Sequence, residues 1–283
     1  MLVLVTGLSF GSGVAKADDP IEEDYSTWQP RFDATFGVHS QVVRSHVQRS
    51  TGVTGRESRD ILASIFKFGT GVVSPAITEE FGKPRFYGRV GYHYVISTDD
   101  IRILDSNFSV STGDYNSDPA LCGVNQEPTT SSCDHALTID VDIENMWSAE
   151  LGVEFTAEIW EQELKLSTGI AYLGQEMTYK GLSVKNDRES FPTPGLIAGT
   201  FVIPKVSNTD IIHTIGPSVS LAASVGQVGP ISVQFFTDLG FFFYLDNDDE
   251  ILTGSESGDV AVYRVEKEAY LTEATAGIRF SWY

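Results

Sequence analysis

The chain has 283 residues, 41% of them hydrophobic, and its 39 acids against 19 Lys and Arg give a formal net charge of −20 at pH 7. That length suits one large all-β domain, and a surface so acidic repels nucleic acid, which excludes DNA or RNA binding. No stretch reaches the ~18 continuous apolar residues of a membrane helix, so insertion into a bilayer would have to be by strands.

Met1 to Ala17 joins an apolar run, Leu2-Val3-Leu4-Val5, to Val14-Ala15-Lys16-Ala17, where Ala stands at both positions a signal peptidase reads. A cleaved export signal over 1–17 is expected, leaving 18–283 as a single domain. Eight segments then alternate with a period of two, which sends successive side chains to opposite faces of a strand. Gln29 to Val42 opposes Phe32, Ala34, Phe36 and Val38 to Asp33, Thr35, Gly37 and His39. Arg85 to Ser97 opposes Phe86, Val90, Tyr92, Tyr94 and Ile96 to Tyr87, Arg89, Gly91 and His93. Ile101 to Thr112 alternates Leu104, Phe108 and Val110, with Arg102 in the same row. In His135 to Trp160, Leu137, Ile139, Val141 and Ile143 run in phase with Leu151, Val153, Phe155, Ala157 and Ile159. Glu163 to Tyr179, Asp210 to Gly226, Ile231 to Leu245 and Val260 to Tyr283 complete the set.

Long polar connections, Arg44 to Lys83, Gly113 to Asp134, Lys180 to Thr209 and Asp246 to Asp259, alternate with short ones at Thr98-Asp99-Asp100, Glu161-Gln162 and Gln227 to Pro230. That asymmetry is expected of a transmembrane barrel with tight periplasmic turns, long external loops and, for an even strand count, both termini periplasmic. Within Arg44 to Lys83, the Ile61/Ile65 and Leu62/Phe66 pairs suit a short helix. The same residues could extend a hairpin instead, as could Gly195 to Val206, raising the count to ten or twelve strands. Cys122 and Cys133, in a Ser/Thr/Pro/Asn/Asp-rich stretch, are expected to form a loop disulfide. Their spacing is not that of a metal site, and no second Cys/His pair completes one.

The polar row carries charge in mid-strand and much Gly, Ser and Thr, as a narrow lumen requires. Aromatic residues gather at strand ends, Trp28, Trp160 and Trp282 at one side and Trp147, Phe86, Tyr172, Phe243 and Tyr263 at the other, as two headgroup girdles would. The last strand alternates Ile278, Phe280 and Trp282 with Arg279 and Ser281, and Tyr283 follows. It resembles the C-terminal strand of Gram-negative outer-membrane barrels, whose alternation up to a terminal aromatic is an assembly signal, except that Trp282 holds the aromatic's usual place and Tyr283 overhangs it. The pattern as a whole resembles the small outer-membrane barrels of the OmpA, OmpX-like and OmpW-like class. The resemblance implies an eight-stranded antiparallel up-and-down transmembrane β-barrel in the outer membrane, monomeric, in contact with lipid, lipopolysaccharide and the export and assembly machinery, without a cofactor.

It also implies a lumen plugged by paired charges. The candidates are Asp33, Glu150, Glu154, Glu158, Asp238 and Glu273 against Arg89, Lys165 and Arg279, with His39 and His93 nearby. Three acids stand in excess, either protonated, hydrated or lining a narrow cation path. Asp246, Asp248 and Glu250 sit in an acidic run that could hold Ca²⁺ or Mg²⁺ but lacks the Gly and spaced Glu of an EF-hand. His39-Ser40, Ser45-His46 and His213-Thr214 are the close His/hydroxyl pairs, without an identifiable orienting acid. Gly254-Ser255-Glu256-Ser257-Gly258 places Glu where a nucleophile elbow has its Ser. The expectation is a non-catalytic barrel with a structural, adhesive or small-solute role. A lipid-modifying barrel enzyme and a soluble periplasmic ligand-binding barrel are the alternatives.

Overall fold

The computed structural model describes residues 25–49, 54–98, 138–159, 162–182, 206–246, 248–256 and 259–282. Among the described residues nine strands form one antiparallel sheet: β1 Gln29–Arg49, β2 Thr54–Val73, β3 Arg85–Thr98, β4 Thr138–Ile159, β5 Gln162–Leu182, β6 Val206–Val228, β7 Ile231–Tyr244, β8 Glu250–Glu256 and β9 Asp259–Trp282. Neighbours in sequence pair in order from β1 to β7, β9 follows β7, and β9 pairs with β1 to close the ring. β8 lies end to end with β7 along the same edge of β9, so the closed wall holds eight strands. Closure is tight where β1 meets β9. A Cβ on Gly37 would lie 2.1 Å from the Ala274 carbonyl oxygen, and one on Gly277 2.1 Å from that of Ala34.

The eight strands are not all those expected. Thr54–Val73, expected as loop with a short helix or as an extended hairpin, is the hairpin partner of β1, registered from Gln29↔Val73 to Gln48↔Thr54. Ile61, Ala63, Ile65 and Lys67 point inward while Leu62 and Phe68 are exposed, so alternation prevails over the helical i,i+4 pairs. Ile101 to Thr112 lies outside the described residues, and the ring closes without it because β3 pairs directly with β4. β3 consequently runs opposite to the expected direction, and Phe86 stands at the end where β1 begins and β9 finishes, here the terminal end. The long/short regularity changes too. Connection 50–53 at the opposite, loop end is short in sequence, whereas 74–84 at the terminal end is longer than its neighbours 160–161 and 229–230.

Most strands are far longer than a membrane needs. β1, β4, β6 and β9 have 21, 22, 23 and 24 residues, against roughly 9–11 for a tilted strand crossing a bilayer. Their two halves have opposite polarity. Near the terminal end the outer row is apolar and exposed, with Phe36, Phe68, Val90, Leu151, Ile170, Val219, Leu239 and Ile278 around the circumference, while the inner row is charged. Toward the loop end the inner row becomes apolar: Val43, Ile61, Val141, Ile143, Met177, Tyr179, Ile212, Leu252, Tyr263 and Val265 form one buried cluster. Outside this cluster stand Arg44, Asp60, Glu144 and Arg264.

β4 shows how the inversion is built. Its odd-numbered apolar row was expected to keep one phase, but a bulge makes Glu144 an extra residue between the pairs Ile143↔Met177 and Asn145↔Glu176. One added residue exchanges the faces. Leu151 and Phe155 face outward below the bulge, whereas Val141 and Ile143 face inward above it and Glu144 is turned out.

Above the charged half the wall parts. β3 pairs with β4 only as far as Tyr94↔Asn145, and β6 leaves β7 at Thr214↔Tyr244. Beyond that point Asn208 Nδ2 donates to Glu250 Oε1 at 2.5 Å across β6 and β8. Two curved sheets, β4-β5-β6 and β8-β9-β1-β2, thus clasp the apolar cluster as a sandwich does.

Candidate functional site

Among the described residues, the lumen of the terminal half is the place where many charged side chains converge. An eight-stranded barrel is narrow enough for side chains to fill it, and here they do so in layers. At the mouth the Tyr25 ring closes the opening, with Lys83 Nζ 4.3 Å and the Arg85 guanidinium 5.3 Å from its centroid and its hydroxyl donating to Glu163 Oε2 at 2.6 Å. Arg85 donates from Nε to the Ser74 carbonyl at 2.7 Å and from Nη1 to Gln29 Oε1 at 2.8 Å. The register of β1 against β2 brings those partners to one level, Gln29 lying opposite Val73.

Above the mouth Arg31 donates to Glu154 from both Nη atoms, at 2.5 and 2.7 Å, and Ser167 adds a hydroxyl at 3.3 Å. Arg279 donates from Nε to Asp33 Oδ1 at 2.8 Å and lies over the Phe236 ring at 4.2 Å, a cation–π contact in a desolvated place. Arg89 is the hub. It pairs with Glu150, reaches Asp238 at 2.5 Å and approaches Asp33 at 3.4 Å. Glu150 also accepts from the Tyr87 hydroxyl at 2.5 Å and the Ser218 hydroxyl at 2.6 Å. Lys67 bridges Asp238 at 3.3 Å and Glu273 at 3.2 Å, and His93 Nδ1 stands 3.0 Å from the other oxygen of Glu273.

Next comes an uncharged collar. Gln175 Nε2 donates to Gln41 Oε1 at 2.9 Å, which also accepts from the Tyr244 hydroxyl at 3.0 Å. His39 is fully buried here, and neither ring nitrogen has a hydrogen-bond partner among the described residues. The apolar cluster caps the collar, and burial within it pushes the Tyr179 phenol pKa up, with Asp210 and Glu250 adding to the shift.

Most expected lumen charges therefore share one compartment: Asp33, Arg89, Glu150, Glu154, Lys165, Asp238, Glu273 and Arg279 are all buried. Glu158 does not join them. It is exposed near the end of β4, beyond the last pair with β3, Arg85↔Glu154. The expected acid excess also disappears. Arg31, Lys67 and Arg85 were not foreseen as lumen residues, and with them the buried cations of this compartment, among the described residues, are Arg31, Lys67, Arg85, Arg89, Lys165 and Arg279 against Asp33, Glu150, Glu154, Asp238 and Glu273, while Lys267 is buried farther toward the loop end. Charges so confined favour near-neutrality, since each unmatched one carries a desolvation penalty.

The other expected sites separate. Each His/hydroxyl pair is split by strand alternation. His39 points in and Ser40 lies on the opposite face; Ser45 is buried beside an outward His46; His213 meets the Tyr172 hydroxyl outside at 2.6 Å while Thr214 donates inward to the Leu173 carbonyl. Asp246 accepts from the Asp248 amide, Asp249 pairs with Arg264, and Glu250 accepts from Asn208. Among the described residues no cluster of three or more His, Cys, Asp or Glu is placed to hold a metal. Ile278 and Trp282 are exposed on the outer face. Tyr263, expected in an aromatic girdle, is buried inside the upper cluster because β9 turns it inward. Tyr283, Trp160, Cys122 and Cys133 lie outside the described residues.

Neither the family models nor the curated proteins give a match. Solved structures do. The attachment invasion locus protein Ail of Yersinia pestis is 7% identical, with 87% of this chain and 99% of that one covered and a TM-score of 0.27. Neisserial surface protein A is 9% identical, covering 87% and 97%, with a TM-score of 0.30. The outer membrane protease OmpT of Escherichia coli is 9% identical, covering 90% and 97%, with a TM-score of 0.24. The fold is an eight-stranded up-and-down barrel. Likeness at this level bears on nothing further, and function has to be argued from the residues of this chain.

Proposed function

We propose that this chain is an integral outer-membrane barrel acting as a closed platform, structural or adhesive, with its terminal end in the periplasm and its long connections outside the cell. The inversion of polarity along the wall carries the reading. A belt of exposed apolar side chains around a charged lumen suits lipid outside, and the other half, with Arg44, Asp60, Glu144 and Arg264 outside among scattered apolar residues such as Ile211 and Ile251 and an apolar interior, suits water outside. A soluble ligand-binding barrel would keep its apolar row inward throughout and would not leave so wide an apolar belt bare. Lipid and lipopolysaccharide are the partners such a belt implies, and a monomer is sufficient because the ring closes on itself.

Closure of the lumen favours the platform over ion or solute passage. The charges are engaged with one another, and above them the apolar cluster leaves an ion nothing to replace its water. None of the three sequence-adjacent His/hydroxyl pairs has its two members on one face, and the pair formed across strands in the lumen, His93 Nε2 with the Ser148 hydroxyl at 2.9 Å and Glu273 at the other ring nitrogen, has its imidazole fully buried in the charge network, which favours a non-catalytic role over lipid modification. Planar-bilayer recordings of the wild type and Glu154→Gln test this reading. Neither should conduct; stepwise conductance altered by Glu154→Gln would restore ion passage, and recovery of the protein in the soluble periplasmic fraction would overturn the membrane assignment.

A further inference from the structure

Connection 74–84 at the terminal end stands out in its backbone and in what it displays. Phe81, Gly82 and Lys83 are successive residues at φ of 56°, 78° and 47°. Positive φ is uncommon for any side chain other than glycine and an outlier for a bulky one, so the backbone is strained at Phe81 and Lys83. Such strain persists only where the surroundings over-determine it, and it points to a function. Here it holds Phe81 85% exposed, the barest large apolar side chain among the described residues, with Ile77 at 57% on the same connection. The segment is not loose: Ile77 N–H donates to the Pro84 carbonyl at 2.9 Å and Thr156 N–H to the Gly82 carbonyl at 2.7 Å.

We propose that this connection is an interfacial lipid anchor, with Phe81 and Ile77 seated at the headgroup boundary of the leaflet on the terminal side. The inference rests on the membrane reading above. Lipid is the occupant because the patch continues the apolar belt. The bond from Thr156 ties Gly82 to the edge of β4, where a Cβ on Gly82 would lie 3.8 Å from that of Phe155, itself an exposed residue of the belt. The polar groups are arranged to match. Glu79 and Glu80 are exposed, Thr78 Oγ1 accepts from the Glu80 amide at 3.2 Å, and the Lys83 ammonium turns inward over Tyr25. An aromatic ring with flanking polar groups is favoured at the boundary, reaching about 5–10 Å into it.

The test uses the full-length chain with Cys122→Ser and Cys133→Ser, carrying Phe81→Cys, Leu151→Cys or Asp248→Cys, labelled with the fluorophore NBD in vesicles of lipids brominated at shallow or deep acyl positions. Folding is checked by heat-modifiable gel mobility, and Ile77→Cys replaces Phe81→Cys if that variant does not fold. The label at 81 should lose most of its emission, more to shallow than to deep bromines. The label at 151, in mid-belt, should be quenched more by deep bromines, and that at 248 should not be quenched. No quenching at 151 would sink the membrane reading and the anchor with it. Quenching at 151 but not at 81 would sink the anchor alone, as would a label at 81 that is shielded in cell envelopes but bare in vesicles, which would point to a soluble protein partner.

Discussion

Removing Arg89 should be among the most costly single changes in the barrel, and the cost should depend on which acid it leaves behind. Asp33 would keep Arg279 at 2.8 Å and Asp238 would keep Lys67 at 3.3 Å, but Glu150 would keep only the hydroxyls of Tyr87 and Ser218. Arg89→Met therefore strands one buried carboxylate, and breaking a buried pair from one side costs about 3–5 kcal/mol. Glu150→Gln in the same chain removes that charge and keeps an acceptor for both hydroxyls. The double variant should recover part of the loss, with a coupling energy of about 1–3 kcal/mol. Urea unfolding in lipid vesicles, followed by tryptophan emission and gel mobility, measures all four corners of the cycle. Strictly additive losses, or an Arg89→Met chain as stable as the wild type, would refute the assignment of Arg89 as the counter-ion of Glu150.

Two further outcomes follow from the packing. Tyr263→Ala empties a fully buried position in the upper cluster and should cost about 3–5 kcal/mol, the range for deleting a buried aromatic side chain, in the same unfolding assay. In β9, whose end pairs with β1 through Arg31↔Ser281 and with β7 through Ile231↔Trp282, Trp282→Ala should slow assembly into vesicles more than deletion of Tyr283 does. Folding kinetics by gel mobility decide this, and the reverse order would mean that the terminal aromatic recognised is Tyr283.

The barrel class was legible from the sequence because alternation survives wherever the two faces differ. β2 escaped because it spans the level at which polarity inverts. At Ile61 to Phe68 the inner row has already become apolar while the outer row still is, so period two has no contrast to display. Lys67 was the available signal, being in phase with Ile61 and Ile65, and its omission is one reason for the apparent acid excess. Arg31 was hidden in another way, since it stands just after Pro30 at the start of a strand, where a charge reads as solvent-exposed. Glu158 erred oppositely: its phase matches Glu150 and Glu154, but phase does not reveal where a neighbouring strand stops. The β4 bulge at Glu144 has no composition cue, and only the pairing of Ile143 with Met177 discloses that one apolar row crosses the wall.

The polarity inversion is tested most directly by arginine at two outward positions of one strand, Val219 within the belt and Ser207 above it, both exposed on β6. Unfolding in lipid vesicles should show Val219→Arg destabilised by about 2–4 kcal/mol, the midplane cost of a charge on the lipid face of a barrel, and Ser207→Arg by about 0–1 kcal/mol. Equal and small costs at both positions would contradict the account, because a barrel surrounded by water along its whole length has no reason to distinguish them.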